Sequence, residues 1–229
     1  MRLASHEVRW FIEGELDESG EVYVWFTRRD WLAETPSAVK LQWPGFDSRE
    51  DVYCVFSHFG ELGLKWRREQ KGTSLDIKGR TAELGPVQFR SNVAGKIERW
   101  IKWQHSNAAV PAAIREVFDL GRHTQNLVRI KKNRILRKVR LDAFGRDEEV
   151  TATDKIDRGL NIELTRLLVN ESGKYWTLGF EAFPHDDDLH GAFQRNVRLF
   201  LKDYSGTDLD LEKSKSYAEW LMELAAQRR

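Results

Sequence analysis

The sequence predicts an α+β fold in which about eight antiparallel strands close into a β-barrel that a few helices cover. Strand-like alternation of apolar and polar residues recurs through most of residues 1–183. Charged residues fall repeatedly on one face of these strands, and bulky apolar residues occupy the other face. Two amphipathic helices near the C-terminus need an apolar sheet surface to cover. These three observations favour a barrel with an apolar exterior and a charged interior.

The first half of the chain is rich in short runs of β-branched and aromatic residues between turn-forming residues, which predicts strands. GLKWRRE and SLDIKGR are typical of a hairpin, with Gly72 in the connection. In chain order, the predicted strands of this half are residues 7–14, 21–26, 47–56, 63–69, 74–80 and 96–104.

The second half begins with a change of period. Apolar residues at helical spacing predict a helix within SNAAVPAAIREVFDLGR, residues 106–122. Strands are predicted at residues 127–145, 159–170 and 175–183, and NESGK joins the last two in a hairpin. Residues 186–204 and 211–229 have the pattern of amphipathic helices. We interpret residues 1–229 as a single domain with C-terminal helices from about residue 186.

Composition excludes several classes of protein. The formal net charge is +1, from 37 Lys and Arg against 36 Asp and Glu, which does not indicate a bulk-basic nucleic-acid-binding protein. No apolar run approaches the ~18–20 residues of a membrane span, and the charged N-terminus does not resemble a secretory signal. The single cysteine, Cys54, excludes an intrachain disulfide and fits a reducing, cytoplasmic compartment. The sequence has no P-loop or dinucleotide-binding glycine pattern, so no organic cofactor is expected.

Alternation alone does not decide which face of the strands points inward. With Leu64 and Trp66 in the core, Lys65 and Arg67 would lie in water, as in an ordinary half-exposed sheet. Enclosed charges instead need counter-charges, because two like charges ~4 Å apart repel by roughly 4 kcal/mol at an effective dielectric constant of ~20. Enclosed Lys and Arg side chains would therefore point to acids, metal ions or a bound polyanion, and both side chains suit phosphate oxygens.

Several blocks, in this order, resemble the CYTH superfamily, the triphosphate tunnel metalloenzymes. LGLKWRR followed by SLDIKGR is similar to that family's strand with two cations two residues apart and to its next strand, which ends in Lys-Gly. KIERWIKW, ILRKVRL and WTLGFEAFP resemble three later strands of the family. The resemblance covers about residues 7–202 and implies an eight-stranded barrel of the triphosphate tunnel type. It also implies that the lumen binds an organic triphosphate or inorganic polyphosphate.

The resemblance implies roles for individual residues, although it assigns no catalytic residue. Four acids would bind Mg²⁺ or Mn²⁺ or would balance charge: Glu7, Glu98, Glu163 and Glu181. Five cations would contact phosphate: Lys65, Arg67, Lys78, Lys138 and Arg140. Alternation adds four cations on the same strand faces as further phosphate-binding candidates: Arg9, Arg80, Lys102 and Arg134.

The sequence departs from the family pattern at two strands. The opening Glu-x-Glu-x-Lys reads Glu7-Val8-Arg9-Trp10-Phe11, so an arginine replaces the second acid and a phenylalanine replaces the lysine. The closing Glu-x-Glu reads Gly179-Phe180-Glu181, with one acid missing. Mg²⁺ binds through one or two carboxylates plus phosphate and water, so a single-metal site remains compatible with the sequence. A two-metal site is poorly supported.

Three functions therefore stand as hypotheses. The first is a tunnel that binds triphosphate or polyphosphate and hydrolyses a phosphoanhydride with a divalent metal. The second is a non-catalytic binding module of the same fold that has lost its metal ligands. The third is a binder of RNA 5′-triphosphate ends or single strands through the basic segment 128–140, which the near-neutral charge disfavours. No membrane partner is expected.

Overall fold

The structure is a computed structural model that describes residues 2–28, 47–56, 58–69, 72–106, 127–142 and 144–227. Every structural statement below concerns these residues. The helix predicted within residues 106–122 lies outside them, except for Ser106, which ends a strand.

Eight strands form a closed antiparallel barrel. The described strands are β1 (Arg2–Glu13), β2 (Asp47–Cys54), β3 (Leu62–Glu69), β4 (Gly72–Arg90), β5 (Val93–Ser106), β6 (Leu127–Arg140), β7 (Glu148–Val150), β8 (Gly159–Val169) and β9 (Gly173–Phe183). Around the barrel the strands follow the order β2-β3-β4-β5-β1-β9-β8-β6, and β6 pairs again with β2, which closes the ring. The short strand β7 pairs with the end of β6. The predicted eight-stranded barrel is confirmed.

The described residues also form three helices, α1 (Glu21–Arg28), α2 (Leu189–Leu201) and α3 (Tyr217–Ala226). None of the helices within the described ranges combines the length and the apolar character needed to cross a bilayer. The two C-terminal helices lie where the sequence predicts amphipathic helices.

The strand predicted at EVYVWF is wrong, because this stretch forms α1. The aromatic rings of Trp25 and Phe26 pack on Phe200 of α2, with ring centroids 4.9 and 5.7 Å apart, and Trp25 also contacts Tyr204. The β propensity of the stretch is therefore overridden by tertiary packing of adjacent residues on one side of a helix.

The apolar core lies outside the barrel wall, beneath α1 and α2. On β1, Val8 and Trp10 face outward and are almost fully buried, and the α2 residues Phe193 and Val197 pack in the same cluster. Outward-facing residues of β5, β6, β8 and β9 complete this cluster. The helix-covered apolar exterior frees the inner face of the strands for polar side chains.

The helix α3 covers one end of the barrel. The preceding segment pairs with β1, where Phe11 donates its N–H to the Lys213 carbonyl oxygen. Ser216 then caps α3 by accepting a hydrogen bond from the Glu219 N–H. The Trp220 ring stacks on Phe11 at 4.3 Å and 14°. Inward-facing apolar residues of β1, β2, β6 and β8 pack against α3 and fill this end of the barrel.

Candidate functional site

The barrel encloses a cavity of about 370 Å³ lined mainly by charged side chains. This volume is within the range of about 300–1,000 Å³ that is typical of small-molecule sites. The described acids that line it are Glu7, Asp76, Glu98, Glu163 and Glu181. The described cations that line it are Arg9, Arg49, Lys65, Arg67, Lys78, Lys102, Lys132, Arg134 and Lys215. Cations therefore outnumber acids on the described wall.

Strand alternation places these charges inside the barrel. On β1, Glu7 and Arg9 line the cavity, whereas Trp10 points outward into the helix-covered core. On β3, Lys65 and Arg67 line the cavity, and Trp66 packs in an outer apolar cluster. The charged face is therefore the inner face.

Two buried aspartates organise the basic part of the cavity. Asp51 is fully buried, and Arg67, Lys132 and Lys65 approach its carboxylate at 3.1, 3.2 and 3.3 Å. Arg49 lies 3.6 Å from the same carboxylate. We call Asp51, Asp76 and the five cations around them the Asp51 cluster, which consists of Arg49, Asp51, Lys65, Arg67, Asp76, Lys102 and Lys132.

Asp76 links the Asp51 cluster to the next strand of the wall. Its Oδ2 lies 3.4 Å from the ammonium of Lys65, 3.4 Å from that of Lys102 and 3.6 Å from Arg67 Nη2. The cluster thus spans five neighbouring strands, β6, β2, β3, β4 and β5. Because neighbouring strands lie about 4.8 Å apart, the cluster forms a long band around the barrel wall. Five cations share two carboxylates in this band.

Burial and neighbouring charges both shift the pKa values within the Asp51 cluster. Burial opposes the ionisation of Asp51, but Lys132 and Lys65, followed by Arg49 and Arg67, hold its pKa well below the usual range. Burial lowers the pKa of Lys65 to about 8, despite the attraction of Asp51. Burial also lowers the pKa of Lys132 well below its usual range. Burial therefore outweighs the attraction of the acids for these two ammonium groups.

A row of carboxylates crosses the opposite part of the wall. Glu7 on β1 is paired in register with Glu98 on β5 and with Glu181 on β9. The ammonium of Lys78 lies between two of them, 2.6 Å from Glu7 and 3.2 Å from Glu181. Burial raises the pKa of Glu7, against the attraction of Lys78. The third acid, Glu98, accepts hydrogen bonds from Arg80 at 2.5 Å and from the Trp100 indole at 3.0 Å.

In the next row of paired inward-facing residues, Arg9 contacts Glu163 across Gly179. Arg9 on β1 and Glu163 on β8 are both paired in register with Gly179, on the strand between them. The guanidinium of Arg9 crosses Gly179 and donates a hydrogen bond to Glu163 at 2.9 Å. Arg134 donates to the other oxygen of Glu163 at 2.6 Å. Burial opposes ionisation of Glu163, but Arg134 and Arg9 hold its pKa well below the usual range.

The helix α3 contributes an aromatic side chain to the blocked end of the cavity. Lys132 Nζ lies 3.8 Å from the centroid of the Tyr217 ring and 2.5 Å from the Tyr53 hydroxyl. The Arg9 guanidinium lies 5.1 Å from the same Tyr217 ring. These cation–π contacts tie the cationic wall to α3.

The structure brings most of the predicted site residues together. All four predicted acids line the cavity, with six of the nine predicted cations: Arg9, Lys65, Arg67, Lys78, Lys102 and Arg134. Arg80 lies at the rim, between Glu98 and the exposed Glu61. Lys138 donates to the Asp154 carbonyl oxygen, and Arg140 pairs with Glu148 at a half-exposed position. The structure does not place these three cations on the cavity wall.

Sequence reasoning did not name four charged members of the Asp51 cluster as site residues: Arg49, Asp51, Asp76 and Lys132. Arg49 and Asp51 alternate on β2, and Lys132 precedes Arg134 by two residues on β6, so alternation assigns each pair to one face. What brings them together is the pairing of β2 with β6, with Arg49 opposite Lys132. Tyr217 lies in the amphipathic helix predicted at residues 211–229, whose pattern does not indicate a position at the cavity.

The described acids do not provide a ligand set for Mg²⁺ or Mn²⁺. No group of three or more His, Cys, Asp or Glu side chains among the described residues has a geometry that could hold a metal ion. Each predicted metal ligand is instead bound to a cationic side chain: Lys78 for Glu7 and Glu181, Arg80 for Glu98, and Arg9 with Arg134 for Glu163. The residues that the resemblance implies as metal ligands therefore do not fit a divalent cation in this arrangement.

The comparison with protein-family models gave no match, and the comparison with curated proteins gave none either. Solved structures do match. A conserved hypothetical protein of Pyrococcus furiosus is 13% identical, with 93% of this chain and 98% of that chain covered and a TM-score of 0.44. A protein of Pyrococcus horikoshii is 14% identical, with 95% and 99% covered and a TM-score of 0.43.

A third match is a Bacillus halodurans protein provisionally described as an adenylate cyclase. It is 12% identical, with 73% of this chain and 81% of that chain covered, and the TM-score is 0.32. All three TM-scores lie below 0.5, so these similarities carry no argument about function.

Proposed function

We propose that this protein binds an organic triphosphate or an inorganic polyphosphate in the cavity of its barrel. The observation that carries the proposal is the Asp51 cluster, in which five enclosed cations share two carboxylates. A surplus of buried positive charge is costly unless an anion compensates it. Arg and Lys side chains are well suited to phosphate oxygens, Arg through its fork of donors and Lys as a point charge.

The shape of the charged wall favours a linear anion with several charges over a single phosphate. The five cations lie on β6, β2, β3 and β5, four of the five strands that the cluster spans, so a small anion would contact only part of the band. The far end of the cavity is covered by Tyr217 and the apolar residues packed on α3. A long polyphosphate would therefore enter by its end and would not pass through the barrel.

The geometry supports ligand binding without hydrolysis better than it supports hydrolysis. The described acids are engaged by Arg and Lys and present no ligand set for a metal. An RNA would reach the site cations only through its 5′-triphosphate end, because these cations line the cavity of the barrel.

A thermal-shift and calorimetric ligand series tests this function. We expect tripolyphosphate at about 100 times its Kd to raise the Tm by roughly 5–10 °C, because binding to the folded state alone adds about 2.7 kcal/mol. Sulfate at the same ionic strength should give a smaller shift. Shifts with ATP and with an RNA that carries a 5′-triphosphate show whether the bound anion belongs to a nucleotide or to an RNA end. A 5′-hydroxyl RNA is the matched control. Equal shifts with sulfate and tripolyphosphate would contradict the proposal.

The affinity for an anion should fall as the pH rises through about 8. The pKa of Lys65 is lowered to about 8 in the unliganded protein, and a bound anion raises it again by favouring the ammonium form. Binding therefore takes up protons, and it weakens above the lowered pKa because Lys65 must first be protonated. Sulfate is the suitable probe, since its charge is constant between about pH 7 and 9, and its Kd should rise several-fold over this range. A pH-independent Kd would remove Lys65 from the site.

A further inference from the structure

Two fixed cations occupy positions between the inward-facing carboxylates of the barrel. The Lys78 ammonium bridges Glu7 and Glu181, which lie side by side on β1 and β9. The Arg9 guanidinium reaches Glu163 from the next inward-facing position of β1. A metal ion that bridged these carboxylates would have to displace an ammonium or a guanidinium from a short ion pair.

The position of Arg9 depends on the absence of a side chain at residue 179. A Cβ atom placed on Gly179 would lie 2.3 Å from Cζ of Arg9 and 2.5 Å from its Nη1, closer than real Cβ contacts allow. The guanidinium therefore lies in the space that any other residue at position 179 would fill. Gly179 and Arg9, the two departures from the acidic pattern on β9 and β1, are thus parts of one arrangement.

Arg9 does not use all of its hydrogen-bond donors within the described residues. Its Nη2 is engaged by Glu163, whereas its Nη1 is buried and has no hydrogen-bond partner among the described residues. The hydroxyl of Thr165, which also lines the cavity, is likewise buried without a partner in the described part of the chain. Buried donors are nearly always satisfied in folded proteins, so these two groups point to a ligand that accepts hydrogen bonds.

We propose that the cavity binds its phosphate ligand as the metal-free anion. Lys78 and Arg9, whose guanidinium packs against Gly179, take the place of a divalent cation. This inference rests on the proposed function and specifies the form of the ligand. Lys78 and Arg9 pair with the carboxylates that a metal would otherwise bind, and the surplus cations of the Asp51 cluster supply charge for phosphate, so the octahedral oxygen shell that Mg²⁺ requires is not needed. The site therefore discriminates against the Mg²⁺ complex of the same ligand, which carries less negative charge.

Calorimetric titration of the full chain with tripolyphosphate tests the inference. We expect binding in EDTA, and at least a tenfold higher apparent Kd when Mg²⁺ or Mn²⁺ exceeds the ligand, because the metal sequesters the free anion. Binding that requires either metal, or tightens tenfold with it, would overturn the inference and leave the proposed function standing. No binding in either buffer would overturn both. Mn²⁺ titrated without the anion should give no saturable binding.

Variants at Gly179 and at Arg9 test the role of the Arg9 guanidinium. Gly179→Ala should weaken binding in EDTA about tenfold by displacing Arg9, whereas Gly191→Ala on α2, where no atom lies within 4 Å of the added methyl, should bind as wild type. Arg9→Gln removes the guanidinium without adding bulk and should give the same loss. Adding Gly179→Ala to Arg9→Gln should cost little more, because the clash partner is gone.

The same variants can refute the inference even if one of them fails to fold. Circular dichroism and the Tm identify an unfolded Gly179→Ala protein, and Arg9→Gln then carries the test alone. Wild-type affinity of Arg9→Gln in EDTA would contradict a role for the guanidinium. A tenfold gain of affinity for tripolyphosphate on adding Mn²⁺ to Arg9→Gln, without the prior loss in EDTA, would show that Glu163 belongs to a metal site.

Discussion

Replacing Asp51 by asparagine is expected to lower the free energy of unfolding by about 3–5 kcal/mol, the usual cost of removing one partner from a buried charge network. Asp51 is fully buried and lies within 3.6 Å of four cations. Without the Asp51 carboxylate, Asp76 would be the remaining acid of the Asp51 cluster. Urea denaturation followed by tryptophan fluorescence measures the change.

The neighbouring residue provides a matched control for Asp51→Asn. Glu50 alternates to the other face of β2 and pairs with Arg129 at 3.3 Å, where both side chains are well exposed. Glu50→Gln should change stability by less than about 1 kcal/mol. Tripolyphosphate should also restore part of the stability of Asp51→Asn, since a bound anion replaces the missing negative charge. A loss below about 1 kcal/mol, or no rescue, would contradict the organisation of the cluster around Asp51.

Replacing Lys65 by methionine is expected to weaken tripolyphosphate binding by about 10- to 100-fold, as expected for loss of a charge-assisted hydrogen bond. The same change should stabilise the unliganded protein by about 1–2 kcal/mol. Burial lowers the pKa of Lys65 to about 8, so at pH 7 the folded state holds this proton less favourably than the unfolded chain does. Methionine fills a similar volume without the charge, and Asp51 keeps Arg67 and Lys132 as partners.

The opposite signs of these two effects distinguish a binding residue from a purely structural one. A structural lysine would lose stability on replacement and leave ligand binding intact, whereas a binding residue is retained at a cost to stability. Lys131→Met is the control, because Lys131 lies on β6, is about half exposed and pairs loosely with Glu171 at 3.8 Å. It should change neither quantity appreciably. Lower stability together with unchanged affinity in Lys65→Met would remove Lys65 from the proposed site.

Alternation and the family resemblance were sufficient to predict the barrel and its inner face. Several strands carry charges two residues apart, so a closed sheet places Glu7 with Arg9, and Lys65 with Arg67, on the same side. The departure at Phe11 is explained by packing, because its ring stacks on Trp220 of α3 at the covered end. No local pattern shows that the C-terminal helix reaches this position.

The parts that sequence reasoning missed depend on contacts between distant segments. The Asp51 cluster forms because β2 pairs with β6, about 80 residues further along the chain, and strand alternation carries no information on such pairings. The helix α1 was predicted as a strand because its aromatic residues also fit a strand, and only their packing on α2 decides between the two. Similarly, the contact between the Arg9 guanidinium and Gly179 depends on the register of β1 with β9.

The most direct test of the central claim is a crystal structure of the protein grown with tripolyphosphate in EDTA. We expect ordered anion density inside the barrel, with oxygens within hydrogen-bond distance of Lys65, Arg67 and Arg9. Ordered water alone in the cavity, with tripolyphosphate bound on the outer surface, would contradict it.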